Sequence, residues 1–179
     1  QSSLFTIARR RILWLLILVL ANGLTTKVIA MNDQILKEIV LLAAFIPLLI
    51  GTGGNVGAQS STVVIRGLST QKLNSIGAIK AVVKEAITGA LLGVLMMIVV
   101  FPFAWWQGEG PLIASAVGIS LISITTLAAT TGAILPLLFD RMKLDPALMS
   151  SPFITTVTDI AGVFIYLSTA RLLLSSSLI

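Results

Sequence analysis

The chain has 179 residues, 56% hydrophobic and only 11% charged, with a mean hydropathy of +1.04. A soluble domain of this length has no interior large enough to bury that much apolar surface, so the chain belongs among integral membrane proteins. It has no Cys and no His, which excludes disulfides, thiolate or imidazole metal sites and Ser-His or Cys-His catalysis. Its net charge of +5 is read as loop charge beside a membrane, not as a nucleic-acid surface.

Five apolar segments follow one another, and the expected fold is all-α with five transmembrane helices. The first is Ile12–Ala30, which begins just after Arg9, Arg10 and Arg11. No small-residue cleavage site follows it, so it reads as a spanning helix and not as a removed signal peptide. The absence of an initiating Met suggests a piece of a longer chain. The second segment, Ile39–Ile65, would be about 40 Å long as continuous helix, against about 30 Å of hydrocarbon. Inside it lies PLLIGTGGNVGAQ, Pro47 to Gln59, with glycines at Gly51, Gly53, Gly54 and Gly57. Glycine costs about 1 kcal/mol per interior helical position and proline about 3, so an interruption or bend is expected here. Unwound backbone at membrane depth is tolerated where it lines a wet cavity, and its carbonyls then serve as oxygen ligands. Asn55 and Gln59, one turn apart, add side-chain oxygens, and Thr62 continues their face. The alternative reading is that these glycines only let helices pack closely, as Gly89 and Gly93 in GALLG do.

The third, fourth and fifth segments are Ala86–Trp106, Pro111–Leu138 and Met149–Leu174. Trp105 and Trp106 sit where an interfacial aromatic anchor belongs. The polar, basic loop Arg66–Glu85 is long enough to hold a short helix. With five spans, nine basic residues (Arg9, Arg10, Arg11, Arg66, Lys72, Lys80, Lys84, Arg141 and Lys143) fall on the N-terminal side, and three (Lys27, Lys37 and Arg171) on the other. The N-terminus is therefore expected in the cytoplasm.

Six of the seven acids fall in loops or at interfaces; the seventh, Asp159, lies well inside the last span. Such a residue costs about 2.5 to 3.5 kcal/mol at the centre of a membrane helix and normally faces a partner, a water-filled cavity or an ion pathway. Thr155, Thr156 and Gly162, three or four positions away, are small or polar and fit a wet face. One carboxylate with neutral oxygens and no buried base suits hard cations and repels anions. Mg2+, which sheds water reluctantly, fits a site with little acid and many neutral oxygens; Ca2+, Mn2+ and Na+ stay open.

The run Pro47, Gly51, Gly53, Gly54, Asn55, Gly57, Gln59 resembles the P-x-x-x-G-x-G-G-N-x-G-x-Q element of the MgtE magnesium channels. The five-span plan, KLDPALMSSPF before the last span and the lone Asp159 are similar too, and the likeness covers the transmembrane part of that family. It implies a homodimer in a bacterial plasma membrane, with one pore between the subunits lined by the second and fifth spans. Asp159 of each subunit would hold a largely hydrated Mg2+. Backbone oxygens at Gly51, Gly54 and Thr155 would receive its waters, with Ala58 and Thr62 nearby. Asp145 resembles the cytoplasmic acid that helps bind regulatory Mg2+ against the family's soluble domains, which this sequence lacks.

The expected function is thus a magnesium-selective channel and not an enzyme. The first rival is a secondary transporter coupled to a cation or proton, for which Asp159 would be the relay. An intramembrane protease dyad is disfavoured because the second span brings no acid. If the topology holds, single cysteines placed in Arg66–Glu85 will react with a membrane-impermeant label only after the cells are permeabilised.

Overall fold

The computed structural model describes residues 4–70 and 75–175. Among them every regular element is helical: α1 (Leu4–Met31), α2 (Asp33–Glu38), α3 (Leu41–Ser69), α4 (Ser75–Ala104), α5 (Gly110–Arg141) and α6 (Pro146–Ser175). One wide turn of π type, Trp105–Glu109, joins α4 to α5. Hydrocarbon offers no water to backbone N–H and C=O groups, and a helix satisfies them within its own segment. Four helices, α3 to α6, are long and apolar enough to cross a membrane; the apolar part of α1, Leu15–Met31, is shorter. The short α2 was not foreseen; its Lys37 and Asp33 form an exposed i,i+4 ion pair.

Of the interruption or bend expected in the second span, the interruption is absent. α3 is one continuous helix of 29 residues that carries Pro47 and all four glycines. Four interior glycines cost about 4 kcal/mol relative to alanine, and close packing offsets that cost. A methyl group at Gly53 would stand 2.7 Å from Ile124 Cγ2, and one at Gly57 would stand 2.5 Å from Ile154 Cγ2. Across from them, a methyl at Gly132 of α5 would overlap the Gly57 carbonyl. The backbones of α3 and α5 touch at this point, which only small residues permit.

α5 is the central helix and packs on α3, α4 and α6. Many of its buried positions are small: Ala114, Ala116, Gly118, Ala128, Ala129, Gly132 and Ala133. Larger side chains fill the space where three helices diverge, among them Phe45 and Leu49 of α3, Leu121 and Ile124 of α5, and Val163, Tyr166 and Leu167 of α6. Several hydroxyls on α5 are satisfied locally, although the buried Ser120 hydroxyl has no partner among the described residues. Thr125, Thr126 and Thr130 donate to the carbonyls of Leu121, Ile122 and Thr126 at 2.7, 2.6 and 2.7 Å, which spares them an unpaired polar group at depth.

α4 joins the bundle through α5. Gly89 and Gly93 are packing glycines as expected: a methyl at either would come within 2.5 Å of α5, against the Thr125 carbonyl oxygen and Ile122 Cα respectively. Its other side is apolar and exposed, for example at Ile87, Leu91, Ile98 and Val99. The segment read as a polar loop, Arg66–Glu85, is instead mostly the end of α3 and the start of α4. A 30-residue helix is about 45 Å long and must project from the hydrocarbon, so polar first turns do not end it. Lys72 lies outside the described residues.

Gly132→Val should be among the most damaging single changes, because the new side chain meets backbone and not a movable side chain. Overpacking of this kind costs about 1 to 3 kcal/mol or more. A lowered thermal midpoint and a loss of monodisperse protein in detergent are the expected results.

Candidate functional site

Helical periodicity divides the glycine run between two faces. Gly53 and Gly57 point into the bundle, in line with buried Ser60, Ser61 and Val64. Gly51, Asn55, Gln59 and Thr62 are exposed and follow one another at intervals of four, four and three residues, which is one stripe along α3. Gly54 and Ala58, both half-buried, border this stripe. A methyl at Gly51 would meet nothing within 4 Å, and one at Gly54 would make only an ordinary contact, 3.8 Å from Thr155 Cγ2.

α6 runs antiparallel beside the stripe. Gly53 faces Thr158, Gly54 faces Thr155 and Gly57 faces Ile154, so α6 numbers fall as α3 numbers rise. That register brings Asp159 to the level of Gly51. Asn55 is the middle residue of α3, and Asp159 is residue 14 of the 30 in α6. Both therefore sit near the middle of their helices. The Asp159 side chain is half-buried. Among the described residues, no hydrogen bond or ion pair to its carboxylate is formed.

The wet face of α6 is narrower than the sequence implied. Thr156 and Gly162, expected to line it, are buried against the bundle, whereas Ser151 and Thr155 are exposed on the Asp159 side. Thr155 Oγ1 donates to the Pro152 carbonyl at 3.0 Å, and Thr62 Oγ1 donates to that of Ala58 at 2.9 Å. Each hydroxyl oxygen thus spends its proton on its own helix and keeps its lone pairs for another donor. Ser151 is the residue that sequence reasoning missed; its spacing of four from Thr155 and eight from Asp159 was the available signal.

The predicted residues do not form one shell. Asp159, Gly51, Gly54, Asn55 and Thr155 lie within about two helical turns of one another. Thr62 is 11 residues beyond Gly51, about 16 Å along the helix, so it belongs to the same stripe at another depth. Asp145 is remote, 14 residues and about 21 Å from Asp159 along the chain axis. Its Oδ1 accepts from the Ala147 N–H at 2.9 Å, with Pro146 as the first helical residue. This is the N-cap of α6, and it gives Asp145 a structural role. Among the described residues, no cluster of three or more acidic side chains forms a metal site.

The sequence profile of the MgtE family, described as divalent cation transporters, matches residues 46–169. That interval contains the glycine run, all of α5 and Asp159. The chain belongs to the MgtE family. It is 40% identical over 166 residues to a protein of Thermus thermophilus named magnesium transporter MgtE, covering 93% of this chain and 37% of that protein. It is also 33% identical over 177 residues to the Bacillus subtilis protein of that name, covering 98% of this chain and 39% of the relative. Enterococcus faecalis has a third, 35% identical over 169 residues. The chain thus spans less than two-fifths of the length of these MgtE relatives, and what it shares with them is the multi-pass membrane part.

The two glycine faces should respond oppositely to the same small change. Gly51→Ala adds a methyl in open space and removes a helical glycine, so it should stabilise by up to about 1 kcal/mol. Gly57→Ala pushes a methyl into Ile154 and should lower the midpoint. Thermal unfolding of the two purified variants in detergent compares them directly.

Proposed function

We propose that this chain is the membrane-embedded part of a magnesium channel, and that Asp159 is its principal cation-attracting group. The observation that carries this reading is the unpaired, half-exposed Asp159 carboxylate at mid-helix, level with the bare backbone at Gly51. A carboxylate facing lipid there would cost about 2.5 to 3.5 kcal/mol, so water, an ion or a second polar surface must cover it. A second copy of the chain, bringing its own α3 and α6 stripe, encloses a polar path and supplies a second Asp159. In this arrangement α1 completes five crossings, with the N-terminus in the cytoplasm of a bacterium and the pore at the homodimer interface.

The transported Mg2+ is the cargo, and it passes with most of its water. Helical carbonyls at Gly51 and Gly54 already accept one N–H each, but every carbonyl oxygen has a second lone pair; that of Thr155 is shared with the Thr158 hydroxyl, which donates to it at 3.2 Å. Glycine leaves that lone pair uncovered, so hydration waters reach it without any unwinding of α3. Asn55 adds a side-chain amide at the same depth, and Thr62 receives waters farther along the path. Recognition through water suits Mg2+ because dehydration of that ion is expensive. The membrane potential drives the flow: two charges moving through about 100 mV gain about 4.6 kcal/mol. Asp145 would act with soluble regulatory segments of the longer chain, as a cytoplasmic ligand beside its capping role.

Asp159→Asn tests the reading. It keeps shape and an oxygen but removes two charges from a dimer. The variant should assemble, and unfold at an equal or higher temperature, because a charge costly to bury is gone. Mg2+ affinity by titration calorimetry should fall by at least about tenfold, which corresponds to 1.4 kcal/mol. Flux into liposomes should lose its preference for Mg2+ over monovalent ions. Unchanged affinity and selectivity would overturn the reading, and flux driven by a pH gradient in the parent would favour a coupled transporter instead.

A further inference from the structure

The outer side of α4 carries a feature that the ion path does not use. Two adjoining clefts, of about 370 and 230 Å³, share Ile79 and Val83 as common walls. The first runs along α4 and includes Lys80 and Lys84; the second lies between α4 and α5 and includes Leu138 and Arg141. Together they form one apolar groove with three cations at its margin. Ile79 and Val83 are 68% and 53% exposed, so no described part of the chain covers the groove.

Helix length sets its depth. Trp105 and Trp106, both exposed, anchor the far end of α4 at one interface. Counting back about 30 Å of hydrocarbon at 1.5 Å per residue reaches residue 85. Lys84 therefore lies at the opposite boundary, and Lys80 one turn beyond it among the headgroups. Arg141 ends the antiparallel α5 on the same side. None of the three is in an ion pair with a described residue. The nearby acids do not neutralise the margin: Glu85 is buried, and the exposed Asp140 carboxylate is in no ion pair with a described residue.

We propose that this groove is a binding site for an anionic phospholipid. Its acyl chains lie along Ile79, Val83 and Leu138, and its phosphate sits among Lys80, Lys84 and Arg141. A zwitterionic lipid would bring a positive headgroup to the same cations, and charge complementarity therefore selects the anionic class. The position of the cations decides for a lipid over a soluble anion, since apolar groove and charged margin meet at the hydrocarbon boundary.

The test uses the full-length protein and two vesicle lipids, phosphatidylglycerol and phosphatidylcholine. Native mass spectrometry should find phosphatidylglycerol retained over phosphatidylcholine by at least about tenfold, because a basic residue at headgroup level contributes a factor of about five. The triple variant Lys80→Gln, Lys84→Gln, Arg141→Gln should lose that preference, while Lys27→Gln retains it. A second readout serves if the triple variant does not fold. These 179 residues have no cysteine; with any cysteine elsewhere in the full-length protein replaced by serine, a fluorophore on Val83→Cys should be quenched more strongly by brominated phosphatidylglycerol than by brominated phosphatidylcholine. Equal retention or equal quenching of the two lipids would overturn the proposal. So would a dye shielded from both lipids, which would mean that protein, from a second copy or the rest of the chain, fills the groove.

Discussion

The contact on which the arrangement depends is the meeting of two backbones, α3 at Gly57 and α5 at Gly132. Neither position has room for a methyl group. Because the helices approach so closely there, the rotation of α3 about its own axis has little freedom. The same rotation that buries Gly53 and Gly57 turns Gly51, Asn55, Gln59 and Thr62 outward. The polar stripe is thus a consequence of the packing, and it keeps its place because moving it would drive backbone into backbone.

Asp159 stands against this stripe at some expense to stability. Most polar groups in the bundle are handled locally, as the Thr125, Thr126 and Thr130 hydroxyls are by their own helix. A carboxylate has no such local solution, since an ionised acid only accepts hydrogen bonds and helical N–H groups are already engaged. Its charge remains directed at whatever occupies the neighbouring space. In a chain with 11% charged residues, an unpaired acid at mid-helix is the feature least explained by folding alone.

α4 shows the opposite allocation. It contributes little to the interior beyond its seam with α5, and its exposed side is apolar along most of its length. Among the described residues nothing covers that side. Its basic residues are confined to one end and its aromatic pair to the other, as expected of a helix whose two ends meet the two boundaries of a membrane.

Much of this was legible in the sequence. Composition alone placed the chain in a membrane, since hydrophobic content of this order has no aqueous solution, and the apolar runs located α3, α5 and α6 to within a few residues but missed the first 11 residues of α4, whose polar opening turns look like loop. Asp159 stood out because a single acid in an apolar run is conspicuous without any structure. Local propensity in the glycine run predicts an interruption or a bend. Tertiary packing with α5 and α6 excludes the interruption and keeps the helix continuous, since propensity gives way when burial outweighs it. The partition of four glycines into two that pack and two that border the open face is set by the rotation of α3 against its neighbours. Likewise, Thr156 and Gly162 stood beside Asp159 in the sequence but face the bundle. Residue spacing along one helix determines which side chains share a stripe; only the neighbouring helices decide which stripe is left open.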